Sequence, residues 1–399
     1  MRILNALLIG CALLATAKAA DIKLIFPPGA KTVGPYSPGL LAGKFLYVSG
    51  QGAKNAAGEY PPTLSAQVRQ VFENIKDIVS AAGLTMDHVV YAQMYIAGAG
   101  DFEAARAAWL ELFADGGPAL AILGIARTPG DTPVEINAVA VTDLAAKKAV
   151  RLPGSRKGGP PDAMIAGDRL FFSDCSGQGE SGAEAEATAA LARMGKVLAA
   201  AGIGYDNVVF VNPYLTEGMD AGVMNRVYAK HFKFGDTPAR ATIHVSRLPN
   251  GANLTFTGVA AMDIRTRRSV RPKNMPPSPT ASPCVFVADT FYCSAKSAFI
   301  PGPNAGIYSP DVETQVRQSI RNLLDGLEEA GLDLSSVVVT NVYLDDMEEF
   351  AKMNRVYASY FKQPYPTRTT VQQRPPAQRK ANDRDQWPML EQISLVAVK

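Results

Sequence analysis

The chain is long enough for two to four domains, and its composition excludes several simple modes of binding. It has 399 residues, of which 47% are hydrophobic and 19% are charged, as is usual for globular proteins. Its 40 basic and 37 acidic side chains leave a formal net charge of +3. This near balance gives no general attraction for nucleic acid or for an anionic membrane, so a partner must be recognised at a specific site.

The first 20 residues have the order of a secretory signal. Met1 and Arg2 precede an apolar stretch over residues 3–15, and the small-residue segment 17–19 follows. We expect residues 1–20 to be removed and the mature protein to be periplasmic or secreted. A lipoprotein anchor at Cys11 is the alternative. Because no later segment approaches the ~20 apolar residues of a transmembrane helix, we expect no integral membrane span.

The remaining chain contains one pattern three times. A helical pattern, a glycine and a β-branched strand recur, with the glycines at Gly83, Gly202 and Gly331. The spacing between these glycines is that of a whole domain, and this excludes a solenoid of short repeats. We predict domains over residues 21–143, 150–265 and 275–399, separated by Pro-, Gly- and base-rich linkers at about 144–161 and 264–280.

Each predicted domain has the element order ββαβαββ. It opens with a hairpin, whose turn in the first repeat is at Gly43 and Lys44, and continues with the central helix and strand. A second amphipathic helix follows, most clearly over residues 353–361, and two strands close the unit. The economical packing is one mostly antiparallel sheet with two helices on one face, so the predicted fold class is α+β.

Two of the cysteines face each other in a predicted hairpin. Cys284 and Cys293 belong to strands joined by a turn at Ala288 and Asp289, which places the two cysteines opposite one another. A cross-strand disulfide and a pair of buried free thiols are both consistent with this position. Cys175 is then a free thiol.

Several stretches together resemble the RidA (YjgF/YER057c/UK114) family. Residues 34–37 with 48–51 resemble its opening motif, and residues 225–228 and 354–357 resemble its second-helix motif. Its arginine signature resembles residues 238–240 and 366–370. RidA proteins are chorismate-mutase-like domains that form trimers with ligand clefts between subunits. The resemblance therefore implies that the three repeats form an intramolecular pseudo-trimer, and that the chain is a monomer.

The resemblance also implies a function. Members of the family hydrolyse enamines and imines of small carboxylates, such as 2-iminopropanoate and 2-iminobutanoate, to 2-keto acids and ammonia without a metal or a cofactor. The partner implied is a small carboxylate, gripped by a guanidinium. The predicted catalytic residues are Arg368, Arg240, Asn354 and Asn225. The predicted substrate-binding residues are Tyr36, Ser49, Gly50, Ser173 and Ser294.

The three repeats depart from the family pattern in different ways. Leu120 and Arg106 stand in the first repeat where the others have the arginine and the asparagine, and Pro160 and Ala281 replace Tyr36 in the second and third. The third repeat retains the best set, with Arg368, Asn354 and Ser294, and the second follows with Arg240, Asn225 and Ser173. The sequence leaves open which repeats face each other.

The most consequential departure from the family pattern is the absence of an acidic residue in the last strand. The family carries a Glu-Ile-Glu-Ala pattern in its last strand, and the place of the second glutamate is held here by Asn137, Thr257 and Ser394. These side chains orient water but accept no proton at neutral pH. Since general acid–base catalysis is worth about 10²–10⁴-fold, we expect poor hydrolysis or none. The alternative is a non-catalytic exported carboxylate-binding or scaffold protein. A ribonuclease activity is not supported, because the sequence offers no histidine pair, no metal ligands and no basic aromatic face for it.

One insertion distinguishes the third repeat. Residues 374–387, between its last two strands, are rich in proline and charge. They are interpreted as a surface insertion, and the alternative is a flap that gates a cleft.

Overall fold

The computed structural model describes residues 21–30, 32, 34–113, 116–273 and 275–399. The predicted signal and the predicted lipid site at Cys11 lie outside these residues. Within them, helices that are both long and apolar enough to cross a membrane are absent.

The described chain forms three units of strands and helices. The first contains β1 Ile22–Ile25, β2 Gly39–Ala42, β3 Phe45–Gly52, α1 Leu64–Ala81, β4 Val89–Ala97, α2 Phe102–Leu110, β5 Ala119–Ile125 and β6 Val134–Val141. The second contains β7 Lys147–Val150, β8 Ala163–Ala166, β9 Arg169–Ser176, α3 Ala183–Ala200, β10 Val208–Leu215, α4 Ala221–Tyr228, β11 Ala239–Arg240, β12 Ile243–His244 and β13 Leu254–Ala261. The third contains β14 Arg268–Val270, β15 Cys284–Val287, β16 Thr290–Lys296, α5 Val312–Glu329, β17 Val337–Leu344, α6 Phe350–Tyr360, β18 Thr367–Gln372 and β19 Glu391–Val398.

The three sheets share one strand order. In the first repeat it is β1-β2-β3-β6-β4-β5, and the other two repeat it, with β10 pairing with both β11 and β12 in the second. Only the βαβ crossover pairs, β4 with β5 and their counterparts, are parallel among the described strands. Both helices of each unit pack on one face of its sheet through an apolar core. The structure thus confirms the predicted α+β class.

The repeating glycines end the long helices. Gly83, Gly202 and Gly331 follow α1, α3 and α5 with φ of 78°, 80° and 72°. This left-handed conformation suits glycine, which has no Cβ, and it turns the chain from each helix toward the next strand. The signal that revealed the repeat is therefore the glycine that follows the C-cap of each long helix.

Each unit begins with a strand that the sequence did not predict. The segments expected to be linkers contain β7 and β14, which pair antiparallel with β8 and β15 of the following unit, as β1 pairs with β2. The second and third units therefore begin at Lys147 and Arg268, before the predicted positions 150 and 275. The charged residues concealed these strands, because an edge strand tolerates exposed charge on its open side.

The three units close into a ring. Strand β5 packs on β9, β11 packs on β16, and β18 packs on β3, so each repeat contacts both others. Two further apolar clusters at the centre combine residues of all three repeats, among them Tyr95, Tyr214 and Tyr343. The helices lie outside and the sheets face the centre, which is the predicted pseudo-trimer.

The cysteine pair and the insertion belong to the third repeat. Cys284 and Cys293 are register partners on β15 and β16 and are joined as a disulfide, with Cα atoms 4.1 Å apart, and Cys175 is free and buried. The insertion is anchored within its own repeat. The backbone N–H of Trp387 donates to Ile307 O at 2.7 Å, and Arg379 pairs with Glu349 at 2.8 Å.

Candidate functional sites at the repeat interfaces

The parallel strand pairs place the two predicted arginines at equivalent positions. Arg368 is the register partner of Thr340, and Arg240 that of Val211. Leu120 is the partner of Ala92 at the same position in the first repeat. The predicted equivalence of these three residues therefore holds in the structure. We name the three interfaces cleft A, which contains Arg368, cleft B, which contains Arg240, and cleft C, which contains Leu120.

Cleft A forms between the third and first repeats. The backbone N–H of Arg368 donates to Ser49 Oγ at 2.8 Å, and that hydroxyl donates to Ser37 O at 2.6 Å. The backbone N–H of Ser37 donates in turn to Pro366 O at 3.2 Å. Ser49 therefore fixes the register between β3 and β18, and this brings a serine of one repeat to the arginine of another.

The guanidinium of Arg368 is buried among aromatic rings. Its central carbon lies 5.0 Å from the ring centre of Tyr357 and 5.5 Å from those of Phe350 and Tyr36. Arg368 is only 5% exposed, and its Nη1 has no hydrogen-bond partner among the described residues. Burial lowers the pKa of Arg368 from its ordinary value. A buried guanidinium nitrogen without a hydrogen-bond partner is costly, so this side chain is suited to an anionic ligand.

Asn354 and Gly34 complete the surroundings of this guanidinium. A Cβ on Gly34 would lie 3.0 Å from Arg368 Nη2 and 3.5 Å from the side-chain amide of Asn354. Asn354 Oδ1 also lacks a hydrogen-bond partner among the described residues. Helix α6 thus brings Asn354, and the segment before β2 brings Gly34, to the same guanidinium.

A carboxyl group that the sequence interpretation did not assign lies in cleft A. Glu135 of β6 is buried, and a Cβ on Gly50 would overlap its carboxylate, so a larger residue at position 50 would displace this carboxylate. Burial raises the pKa of Glu135 to about 8, although the backbone of Thr370 and the charge of Arg368 act in the opposite direction. Glu135 is thus mostly a neutral acid at pH 7, close to a positive charge.

A cavity of about 400 Å³ opens beside Tyr36 at the mouth of cleft A. It is lined from the first repeat by Leu24, Phe26 and the segment around Gly34, and from the third by Pro364 and Tyr365. The cavity shares Gly34 and Tyr36 with the surroundings of Arg368. Small molecules therefore have room next to the guanidinium.

Cleft B repeats the arginine but lacks the acid. The backbone N–H of Arg240 donates to Ser294 Oγ at 2.8 Å, and its Nη1 donates to Asn225 Oδ1, also at 2.8 Å. Gln392 occupies the place of Glu135 and donates from Nε2 to Thr242 O at 2.8 Å. Cleft B can hold a carboxylate, but its amide cannot transfer a proton.

Cleft C has a different charge arrangement. Leu120 is buried where the other clefts have arginine, and Arg106 of α2 pairs with Glu103 at 2.9 Å. Beside Ser173, Asp174 occupies the position of Gly50, and burial raises its pKa while Arg106 and Arg193 oppose that shift. With its arginines facing carboxylates of the same chain, cleft C is poorly suited to a carboxylate ligand.

The structure corrects the predicted grouping of site residues by repeat. Arg368 and Asn354 meet Tyr36, Ser49 and Gly50 of the first repeat. Ser294 belongs instead with Arg240 and Asn225 in cleft B, and Ser173 lies in cleft C without a clamp arginine. The first repeat thus completes a cleft for the arginine of the third repeat.

The expectation that every cleft lacks an acid is wrong for cleft A. That expectation rested on the position of the second glutamate in the Glu-Ile-Glu-Ala pattern, which is Asn137 here. The carboxyl group in cleft A comes from the position of the first glutamate, Glu135. Asn137 instead donates to Gln93 and Thr369 near the centre of the ring. Thr255 and Gln392 hold the place of Glu135 in the other repeats, as the register partners of Tyr214 and Tyr343. The sequence signal for Glu135 was an acidic residue inside an otherwise apolar strand.

Three α+β units packed in a ring define a fused, pseudo-trimeric class of protein. The sequence profile of the endoribonuclease L-PSP family matches residues 28–142, 163–262 and 276–376. The chain therefore belongs to this family, three times over, in agreement with its resemblance to RidA proteins.

Curated relatives correspond to single repeats. The chain is 35% identical over 113 residues to the 2-iminobutanoate/2-iminopropanoate deaminase of Escherichia coli strain K12, an alignment that covers 27% of this chain and 88% of the relative. It is 36% identical over 121 residues to a RutC family protein of Pyrococcus horikoshii, covering 30% of this chain and 96% of that protein.

One solved structure resembles most of the ring. The crystal structure of a chorismatase matches with a TM-score of 0.56 at 14% identity, covering 78% of this chain and 93% of that chain. At this identity the likeness shows the fold alone.

Proposed function

We propose that cleft A hydrolyses imines of small 2-keto acids, such as 2-iminopropanoate and 2-iminobutanoate, to the keto acid and ammonia. The observation that carries the proposal is the buried carboxyl of Glu135 in the same cleft as the guanidinium of Arg368, whose Nη1 has no hydrogen-bond partner among the described residues. The similarity of one repeat to an imine deaminase supports the same reaction.

Each residue of cleft A would have a separate role in the reaction. Arg368 binds the substrate carboxylate, and Asn354 and Tyr36 orient it. Glu135, protonated at neutral pH because of its raised pKa, donates a proton to the imine nitrogen. Water adds to the carbon of the C=N bond, and Glu135 recovers a proton from the added water. Glu135 then donates this proton to the amino nitrogen, the C–N bond breaks to release ammonia, and the hydroxyl proton returns to Glu135 as the C=O bond of the keto acid forms. Ser49 acts indirectly, since it holds the strand that carries Arg368.

The test is ammonia release from freshly generated 2-iminopropanoate. We expect the mature wild-type chain to exceed the uncatalysed rate, and Glu135→Gln to reduce kcat by about 10²–10⁴-fold, because the amide cannot exchange a proton. Arg368→Ala should raise KM strongly as the carboxylate loses its partner.

Cleft B supplies the matched control. Arg240→Ala removes the equivalent guanidinium from a cleft that has Gln392 in place of the acid, so it should leave ammonia release nearly unchanged. A wild-type rate equal to background would reject the enzymatic function and favour the second candidate function, a non-catalytic carboxylate-binding protein. Cleft B, with an arginine and no acid, is already suited to that role.

Export, indicated by residues 1–20, is a further part of the proposal, and N-terminal sequencing of the mature protein would test it.

A further inference from the structure

The cavity of about 400 Å³ beside Tyr36 has an apolar rim that the roles of Arg368 and Glu135 leave unused. Two large apolar side chains of this rim come from the first repeat, Leu24 on β1 and Phe26 directly after it. They are 41% and 47% exposed. Apolar surface that is open to water at the mouth of a cleft gains free energy when a ligand covers it.

The residue that follows the first strand of each unit differs between the repeats. Pairing with the second strand aligns the last residues of the three first strands, Ile25, Val150 and Val270. The residues that follow them are, in chain order, Phe26, Arg151 and Arg271. The first repeat thus has an aromatic ring where the other two have a guanidinium.

In the other two clefts this arginine is bonded to a neighbouring loop. Arg271 Nη2 donates to Gly235 O at 2.7 Å, from the third repeat to the second, at cleft B. Arg151 Nη1 donates to Gly159 O at 2.7 Å, where the second repeat meets Gly116 of the first, at cleft C. The phenyl group at the same position in cleft A has no donor for such a bond. The space beside it is therefore open and has an apolar wall.

Gly34 connects the cavity with the guanidinium of cleft A. This glycine lines the cavity, and a Cβ on it would lie 3.0 Å from Arg368 Nη2. In cleft B the equivalent position, three residues before Ser282, is Pro279, whose ring takes up this space. A ligand with its carboxylate on Arg368 can therefore extend past Gly34 into the cavity.

We propose that the cavity beside Tyr36 receives an aromatic side chain of the ligand in cleft A. The preferred substrate is then the imine of an aromatic 2-keto acid, such as 2-imino-3-phenylpropanoate, which water converts to phenylpyruvate and ammonia. The ring packs against Phe26, Tyr36 and Tyr365. Since a cavity of roughly 150 Å³ accepts benzene, about 400 Å³ has room for such a ring. This inference rests on the proposed imine hydrolysis and specifies its substrate class.

The experiment compares kcat/KM of the mature full chain for two freshly generated imines, 2-imino-3-phenylpropanoate and 2-iminopropanoate. Wild type should favour the phenyl substrate by about tenfold or more, since only the larger side chain reaches the apolar rim. Phe26→Arg, which introduces the residue of the other clefts, should bring the ratio of the two values close to one. Arg271→Phe is the matched control. It makes the reverse change at cleft B, which has no acid, and should keep the wild-type ratio.

Calorimetry separates this inference from the proposed function. In an Arg240→Ala background, phenylpyruvate should bind about tenfold more tightly than pyruvate, and Phe26→Arg should remove the difference. Hydrolysis of both imines without preference for the phenyl substrate would overturn the inference and leave imine hydrolysis standing. A preference that survives Phe26→Arg would place the ring elsewhere and overturn it equally. If neither imine is hydrolysed, the proposed function fails, and equal affinity for the two keto acids would then overturn the inference as well.

Discussion

At the residue scale, cleft A depends on two charges that the fold holds in unusual states. Arg368 is buried, and one of its guanidinium nitrogens has no partner in the part of the chain that the structure describes; Glu135 is buried with its pKa raised to about 8. Desolvation outweighs the attraction between the two groups, so the carboxyl keeps its proton at neutral pH. The ligand carboxylate then meets a positive charge that Glu135 does not neutralise.

The affinity of cleft A for pyruvate should fall as the pH rises through about 8. Above this value Glu135 is ionised, so it offsets the charge of Arg368 and repels the ligand carboxylate; below it Glu135 is neutral. Calorimetric titrations on either side of pH 8, in an Arg240→Ala background that leaves only cleft A, would measure the effect. Glu135→Gln should flatten the dependence, and an equal decline in that variant would assign it to another group.

The sequence predicts most of the site residues but not their partners. Arg368, Asn354, Tyr36 and Ser49 follow from motifs, because each motif is local in the chain. Their grouping into one cleft depends on β18 packing against β3, some 320 positions earlier, and no local pattern encodes such a contact. Glu135 was missed for a related reason. Whether it or Asn137 reaches the arginine depends on how the sheets of two repeats meet.

At the element scale, the repeats differ in the core between helix and sheet. Val71 of α1 corresponds to Ser319 of α5 in the helix pattern, and Val134 of β6 corresponds to Glu391 of β19. Ser319 Oγ donates to Glu391, whose other oxygen has no partner among the described residues. Burial raises the pKa of Glu391 to about 8. The third repeat thus buries a serine and an acid at the two positions where the first repeat has valines.

Replacing this pair by the valines of the first repeat should stabilise the protein. The folded-state pKa of Glu391 lies above its unfolded value, so the protonated form stabilises the fold at low pH, and this contribution is lost as the pH rises through about 8. Ser319→Val with Glu391→Val should therefore raise the free energy of unfolding by about 1–4 kcal/mol at pH 9, and by less at pH 6. Urea denaturation at both pH values measures it.

The single variant Ser319→Val is the control for that double change. It removes the hydroxyl donor and leaves Glu391 buried without it, which should destabilise the protein by about 1–3 kcal/mol. If the single variant were as stable as the double one, the acid would cost the fold little, and its pKa would not be set by burial.

The buried elements could be predicted from the sequence more easily than the exposed ones. Buried strands and amphipathic helices gave the ββαβαββ order because their apolar periods are strong. The edge strands β1, β7 and β14 were missed, since half of each faces solvent and their charged residues resemble a linker. The insertion over residues 374–387 was placed correctly at the surface, but its anchoring to Ile307 and Glu349 depends on contacts outside its own sequence.

At the scale of the whole molecule, fusion allows three equivalent interfaces to carry different chemistry. In a homotrimer any substitution enters all three clefts at once, whereas here each cleft has its own residues. Cleft A has arginine and acid, cleft B has arginine and an amide, and cleft C has Leu120 with Asp174.

This inequality predicts how many carboxylate ligands one chain binds. Calorimetry with pyruvate should give two sites per wild-type chain, since Arg368 and Arg240 each provide a guanidinium for the carboxylate and Leu120 provides none. Arg368→Ala and Arg240→Ala should each remove one site, the double variant should remove both, and Arg106→Ala in cleft C should change nothing. Three sites in the wild type, or the loss of both sites in one single variant, would contradict independent clefts. Only cleft A has both a guanidinium and an acid. Ammonia release should therefore depend on Arg368 alone, whereas the number of bound pyruvate molecules should depend on both Arg368 and Arg240.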